Sequence, residues 1–327
     1  MEAVMRVLKK ILSVLAIVLL AVLCVYGLAM LFGRQVLYPE FTRSSEKGAA
    51  IPGLSKGFTP QGVSFLDDCI LICGYCPGKE ASRIYLVSED GTEREILLRR
   101  ENGDVYTGHA GGLTASGEYI YVSNASKLFV LRTADVLSAQ SGSYVQFIGY
   151  ISVPCRASFC SSDGRYVYVG DYHADGYETD ESHRISTDDG EHGAMVYAYR
   201  LDSGSEYGLK AVPEMAFSVR DFVQGFGVND GNAVLSCSHG FSSSELYSYA
   251  IGAPDGDFVR DDMALPLYIL DSSKQNGRIR MPHMSEDVEI RDGKVLVGFE
   301  SSARKMLSGF IPCSLRNVMI VSLPYAK

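Results

Sequence analysis

A chain of 327 residues is long enough for one large all-β domain or two ordinary ones, with a core that needs no disulfides. Its net charge of −9 and pI near 5.2 exclude the clustered basic surface that phosphate backbones require, so no nucleic acid is expected as a partner. The 33 Gly, 20 Tyr and 14 Phe, with short Val, Ile and Tyr runs between Gly, Asp and Ser clusters, are the chemistry of strands and turns.

Residues 11–32 carry no charge and are dominated by Leu, Val, Ile and Ala, which covers the roughly 20 residues needed to cross a hydrocarbon core. Arg6, Lys9 and Lys10 precede the run, whereas only Arg34 follows closely before Glu40. Basic flanks stay cytoplasmic, which predicts a cytoplasmic N-terminus (residues 1–10), a transmembrane helix (11–33), a linker (34–48) and an extracytoplasmic domain (49–327). The bilayer is thus the first expected partner. A cleaved signal peptide is the rival reading, but the run exceeds the 7–15 apolar residues of such segments and no A-x-A site follows it. Cys24 lies inside the run, so no lipobox-like cysteine follows either.

From residue 59 onward a pattern returns: a Gly- or Ser-containing opening, an apolar strand after a polar turn, then further aromatic-rich strands. The first copy opens Pro60-Gln61-Gly62-Val63 and continues through strands at 69–75, 83–87 and 95–98. The second opens His109-Ala110-Gly111-Gly112, with strands at 118–124, 127–131 and 145–151. A third opens Ala157-Ser158-Phe159, with strands at 166–171, 195–201 and 214–219. The fourth opens Val223-Gln224-Gly225-Phe226, with strands at 233–238, 245–251 and 265–270. The fifth opens Met284-Ser285-Glu286-Asp287 and has strands at 294–300 and 317–323. Four short strands per copy, at intervals of about 45–65 residues, predict an all-β fold: a β-propeller of five blades, or six if a long third or fourth copy hides another. The fifth copy lacks its last strand, and residues 49–54 are expected to supply it, since a ring closes well when one blade draws on both ends of the chain. A β-sandwich pair does not predict the recurring openings.

The P-Q-G and H-A-G-G openings, with the D-G-R-Y-V-Y-V and G-E-Y-I-Y-V strand starts, resemble blades of the NHL and SMP-30-like propeller superfamily. The segment Met284-Ser285-Glu286, followed by Gly298-Phe299-Glu300-Ser301-Ser302, is similar to poorly characterised secreted propellers of bacteria. The resemblance spans most of residues 57–327 and implies fold more than function. SMP-30-like enzymes hold a divalent metal, usually calcium, in the central funnel with Glu, Asn and Asp ligands. Here only Glu286 is a carboxylate at a matching opening, and His109 stands where a hard cation prefers oxygen.

In a propeller the strand openings converge on one face of the central channel. Gln61, His109, Ser158, Gln224 and Glu286, with Asp287 beside the last, are therefore expected to surround a funnel that holds a small ligand or a cation. The ends of the second strands add Tyr75, Asn124, Asp171 with Tyr172 and His173, Ser238 with His239, and Glu300. Glu286 and Glu300 come from consecutive strands; such a pair can divide into acid and base, or be tied up by Arg304 or Lys305. Two functions follow. One is a binding or interaction module for a small molecule or an envelope protein. The other is a metal-assisted hydrolase acting on an ester, lactone or sugar, with Glu286 as ligand or base, Glu300 beside it and His109 or His239 moving protons. Residues 171–193 interrupt the repeat with eight acidic residues and three histidines, read as a solvated, partly disordered loop lacking metal-site spacing. The cysteines, including Cys73 and Cys76 in C-x-x-C spacing, read as small buried residues with one or two disulfides at most. No nucleophile elbow, phosphate loop or dinucleotide fingerprint is present.

Overall fold

The computed structural model describes residues 2–306 and 311–323; the expected domain end at residue 327 lies outside them. Helix α1 (Glu2–Leu37) comes first, and it is long and apolar enough to cross a membrane. The rest is a five-bladed β-propeller, each blade built on a four-stranded antiparallel sheet.

The innermost strands are Thr59–Leu66, Gly112–Ser116, Phe159–Ser162, Val223–Asn229 and Ser285–Arg291. Each touches the next around the axis, and Ser285–Arg291 returns to Thr59–Leu66 to close the ring. The glycines of the openings make this approach feasible. A Cβ on Gly62 would stand 2.4 Å from the backbone nitrogen of Leu113, and one on Gly112 would stand 2.4 Å from that of Cys160. Only a residue without a side chain lets neighbouring inner strands come so close. In four blades a non-glycine residue in the left-handed region turns the chain into the inner strand: Ala110, Ala157, Phe222 and Met284. Alternating strands then bury apolar side chains on both faces of each blade, and the gap between blades is filled by one cluster per interface. Between blades five and one, for example, Phe58 and Tyr85 pack edge to face with ring centroids 4.9 Å apart.

Three expectations are corrected. The closing strand is Ser45–Ala50, paired antiparallel with Asn317–Ser322, and not residues 49–54, which pass into a turn. Residues 34–48 are not a linker: they contain the end of α1, the short helix α2 (Pro39–Ser44) and most of the closing strand. Phe41 of α2 is fully buried against Phe299, so α2 packs on the propeller directly after α1. Residues 265–270 are not the outer strand of blade four, whose outer strand is Gln275–Met281. All but the last belong to Met263–Ile269, which lies parallel to Met215–Val219 on the edge of blade three. Ser143–Gln146 covers the edge of blade one in the same way. Both segments leave their own blade between its third and fourth strands, and both satisfy an edge that would otherwise expose unpaired backbone.

The 171–193 insertion is folded rather than disordered. Asp180 caps a turn at Glu181–His183, and Ile185–Thr187 pairs with Gly190–His192 as a hairpin. His183 is buried, with Nδ1 2.7 Å from Asp171 and Nε2 2.9 Å from the Tyr197 hydroxyl. Arg260 reaches across from blade three's added edge to Asp180 at 2.8 Å. An interior polar network with each member satisfied holds one conformation, which is why polar composition did not mean disorder here. All eight cysteines are unbridged.

Candidate functional site

The five strand openings and the ends of the second strands meet around a cavity of about 660 Å³ on the axis. Of the residues expected there, Gln61, Tyr75, His109, Asn124, Ser158, Tyr172, Gln224, His239, Glu286 and Glu300 all line it. Asp287 does not. A β-bulge between Ser285 and Val288 sets two residues of this strand against one of its partner, which aims Glu286 at the funnel and Asp287 into the axis below. The same irregularity recurs between Pro60 and Val63 and between Val223 and Gly225, where Gln61 and Gln224 are presented.

Glu286 is buried, and burial, with the Glu300 charge added, pushes its carboxyl well above the ordinary range. No hydrogen bond or ion pair holds that carboxyl among the described residues. Burial thus favours the protonated form of this carboxyl, which can both donate and accept. Glu300 is bound differently. Its Oε2 lies 3.0 Å from the Lys305 ammonium and 3.2 Å from Gln61 Nε2, and Lys305 also donates to the Tyr75 hydroxyl. Of the two partners expected for this pair, Lys305 takes the role and only Glu300 is tied.

The His109 ring stacks on Tyr75 with centroids 4.6 Å apart, and burial, helped by the Lys305 charge, lowers its pKa to about 4. At neutral pH it is an uncharged imidazole. His239 Nδ1 lies 2.9 Å from the Tyr172 hydroxyl, whose pKa burial and then Glu286 push up to about 12. The serine beside it in sequence, Ser238, instead accepts from the Ser244 hydroxyl at 3.1 Å and does not pair with His239. Tyr177 of the insertion meets the Tyr172 ring edge to face, adding an aromatic wall that the sequence did not reveal.

The donor set does not suit a divalent metal. Among the described residues no group of three or more His, Cys, Asp or Glu could hold one. Within the funnel the place beside Glu300 that a cation would occupy is taken by Lys305. His183 and His192 of the insertion bond instead to Asp171 and Ser218.

A second acidic feature lies below the funnel. Asp287 and Glu289, both buried, point along the axis. Asp287 Oδ2 accepts from the backbone of Leu113 at 3.3 Å, while its Oδ1 has no partner among the described residues. Glu289 accepts from the Thr114 hydroxyl at 3.1 Å. Glu289 lies two residues from Asp287 and shares its face by ordinary strand alternation, whereas its spacing of three from Glu286 reads as a change of face.

No protein-family model matches the chain, and no curated protein does. Among solved structures it is similar to the RS223 β-xylosidase, at 10% identity and a TM-score of 0.46, over 85% of this chain and 94% of that one. It is also similar to the glutaminyl cyclase of Myxococcus xanthus, at 10% identity and a TM-score of 0.41, over 85% of this chain and 95% of that one. BamB from Moraxella catarrhalis follows at 9% identity and a TM-score of 0.35, over 82% of this chain and 84% of that one. At such distances no activity carries across, and the propeller assignment stands on the order of the sheets.

Proposed function

We propose that this chain is a membrane-anchored, extracytoplasmic propeller whose funnel captures a small, neutral, hydroxyl-rich ligand of sugar-like chemistry. The observation that carries this reading is Glu286: a buried carboxyl without a partner among the described residues, at the wall of a cavity of about 660 Å³, where burial favours its protonated form. A hydroxyl both donates and accepts, and so does a protonated carboxyl. Gln61, Gln224 and Asn124 supply further amides, and Tyr172 and Tyr177 offer ring surface. The resemblance to NHL and SMP-30-like propellers stays within this proposal, without the calcium that it implied.

Hydrolysis of an ester, lactone or glycosidic bond is the second reading, and the unequal treatment of the two glutamates favours it. Glu286, holding a proton, would be the general acid, and the Glu300 carboxylate the base or nucleophile. His109 and His239 would orient the substrate. Calorimetry with a panel of neutral saccharides separates the two readings when run on the parent, Glu286→Gln and Glu286→Leu proteins. Glu286→Gln should bind within a few-fold of the parent, because an amide keeps a donor and an acceptor, whereas Glu286→Leu should weaken binding by about 10-fold. Turnover by the parent that Glu286→Gln abolishes would establish the hydrolase instead. Stoichiometric bound metal, with no saccharide binding, would overturn both.

The extracytoplasmic placement is supported by Arg6, Lys9 and Lys10 ahead of the apolar run. Protease added to intact cells should digest or release the propeller; digestion only after lysis would reverse the topology.

A further inference from the structure

We infer that the funnel face of the propeller lies against the bilayer in which α1 is embedded, so that the funnel receives its ligand from the membrane surface. Three independent observations converge on this.

The first is where the anchor docks. The apolar run ends at Phe32, and the next residue, Gly33, is buried so closely against the propeller that a Cβ there would stand 3.0 Å from Cys313 Sγ. Cys313 belongs to the connection between Lys294–Phe299 and Asn317–Ser322, and that connection lies at the funnel end because Phe299 pairs with Ser285. The same connection carries Glu300 and Lys305 into the funnel. The Tyr38 hydroxyl, just past α1, lies 3.1 Å from the Ser243 hydroxyl at the funnel end of blade four. With α2 docked directly after α1, the membrane boundary is fixed within about a helical turn of the funnel rim.

Charge is the second observation. On the described part of this connection Arg304 and Arg316 are exposed, while Lys305 is held by Glu300 in the funnel. Arg34 stands beside them at the end of α1. Basic side chains at a membrane boundary are drawn to lipid phosphates.

The third is the rim itself. Outside α1, Tyr177, Phe222 and Phe241 are large side chains left exposed on the funnel end of blades three and four, with Phe241 68% exposed. Phe222 packs on His239 with ring centroids 4.7 Å apart, so this aromatic patch is continuous with the funnel wall. Aromatic side chains settle at headgroup level, where one end is apolar and the other wet. If the saccharide reading holds, the ligand class narrows to a headgroup or glycan carried by a membrane molecule. The membrane contact itself does not depend on that reading.

The chain contains no Trp, so a single introduced indole reports its own surroundings. Phe241→Trp places it on the funnel rim; Val259→Trp, 67% exposed on the hairpin added to the outer edge of blade three, is the control. The full chain is reconstituted into phosphatidylcholine vesicles brominated high on the acyl chains and compared with unbrominated vesicles. Phe241→Trp should lose at least about half of its emission, as expected of a side chain at headgroup level, and Val259→Trp should be unchanged. Phe222→Trp is the second rim probe and should follow Phe241→Trp. Unquenched rim probes, or quenching of Val259→Trp alone, would overturn the inference. Loss of saccharide binding with rim quenching intact would count against the funnel reading only.

Discussion

Removing residues 1–37 should leave a propeller close to the parent in stability, while removing residues 1–50 should leave one that barely folds. The shorter cut takes away α1 alone. The longer cut also removes α2 and the closing strand. Phe41 is fully buried among Phe299, Leu315 and Met319, and losing a buried Phe costs about 3–5 kcal/mol. The strand adds to this, because its pairing of Ser45 with Val321, Glu46 with Ile320 and Lys47 with Met319 disappears. Blade five is then left with three strands and an open edge, inviting association as well as unfolding. Together these reach roughly 5 kcal/mol or more, the scale of a domain's whole stability. Urea denaturation of the two truncated proteins measures the difference, and closely matched midpoints would show that the ring does not need its closing strand.

This strand also shows why part of the fold could not be read from residues. The blades were legible because their inner three strands are dense in Val, Ile, Leu and Tyr and start at glycines that close packing demands. Outer strands carry a weaker signal. Ser45–Ala50 reads Ser-Glu-Lys-Gly-Ala-Ala and buries none of its residues fully, so the more apolar 49–54 drew the assignment. Gln275–Met281 was passed over for the same reason in favour of 265–270, whose apolar residues cover the neighbouring blade in parallel. Pattern reports that a segment is a strand, but not which sheet receives it. In the funnel, convergence followed from the repeat alone and placed Gln61, His109, Gln224 and Glu286 together. Lys305 taking Glu300, and Tyr177 reaching over from the insertion, depend on tertiary contacts between residues far apart in sequence.

The axial acids should make the propeller less stable as pH rises through neutrality. Burial raises the carboxyl of Asp287, with the Glu289 charge adding to it; burial likewise raises Glu289, against the opposing hydrogen bond from Thr114. Glu286 is raised by burial and by Glu300. In the unfolded chain all three ionise near pH 4, so above that value the folded state holds protons that the unfolded state has released. More bound protons in the folded state means that stability falls with rising pH, by roughly 1 kcal/mol per pH unit for each such group until its folded pKa is passed. Surface carboxylates act in the opposite sense: hydrogen bonds from Ser182 and Ser205 hold Asp180 and Asp202 below the ordinary range, and that contribution is lost as acid protonates them. The two trends predict a stability maximum near about pH 5 with a decline on the alkaline side. Asp287→Asn is the informative variant, because an amide can still accept from Leu113 and holds no charge to bury. Its urea midpoint should approach the parent's at or below about pH 4 and exceed it increasingly toward about pH 8. An identical pH profile for parent and variant would mean that Asp287 is ionised in the folded propeller, and that something other than a proton neutralises the axis.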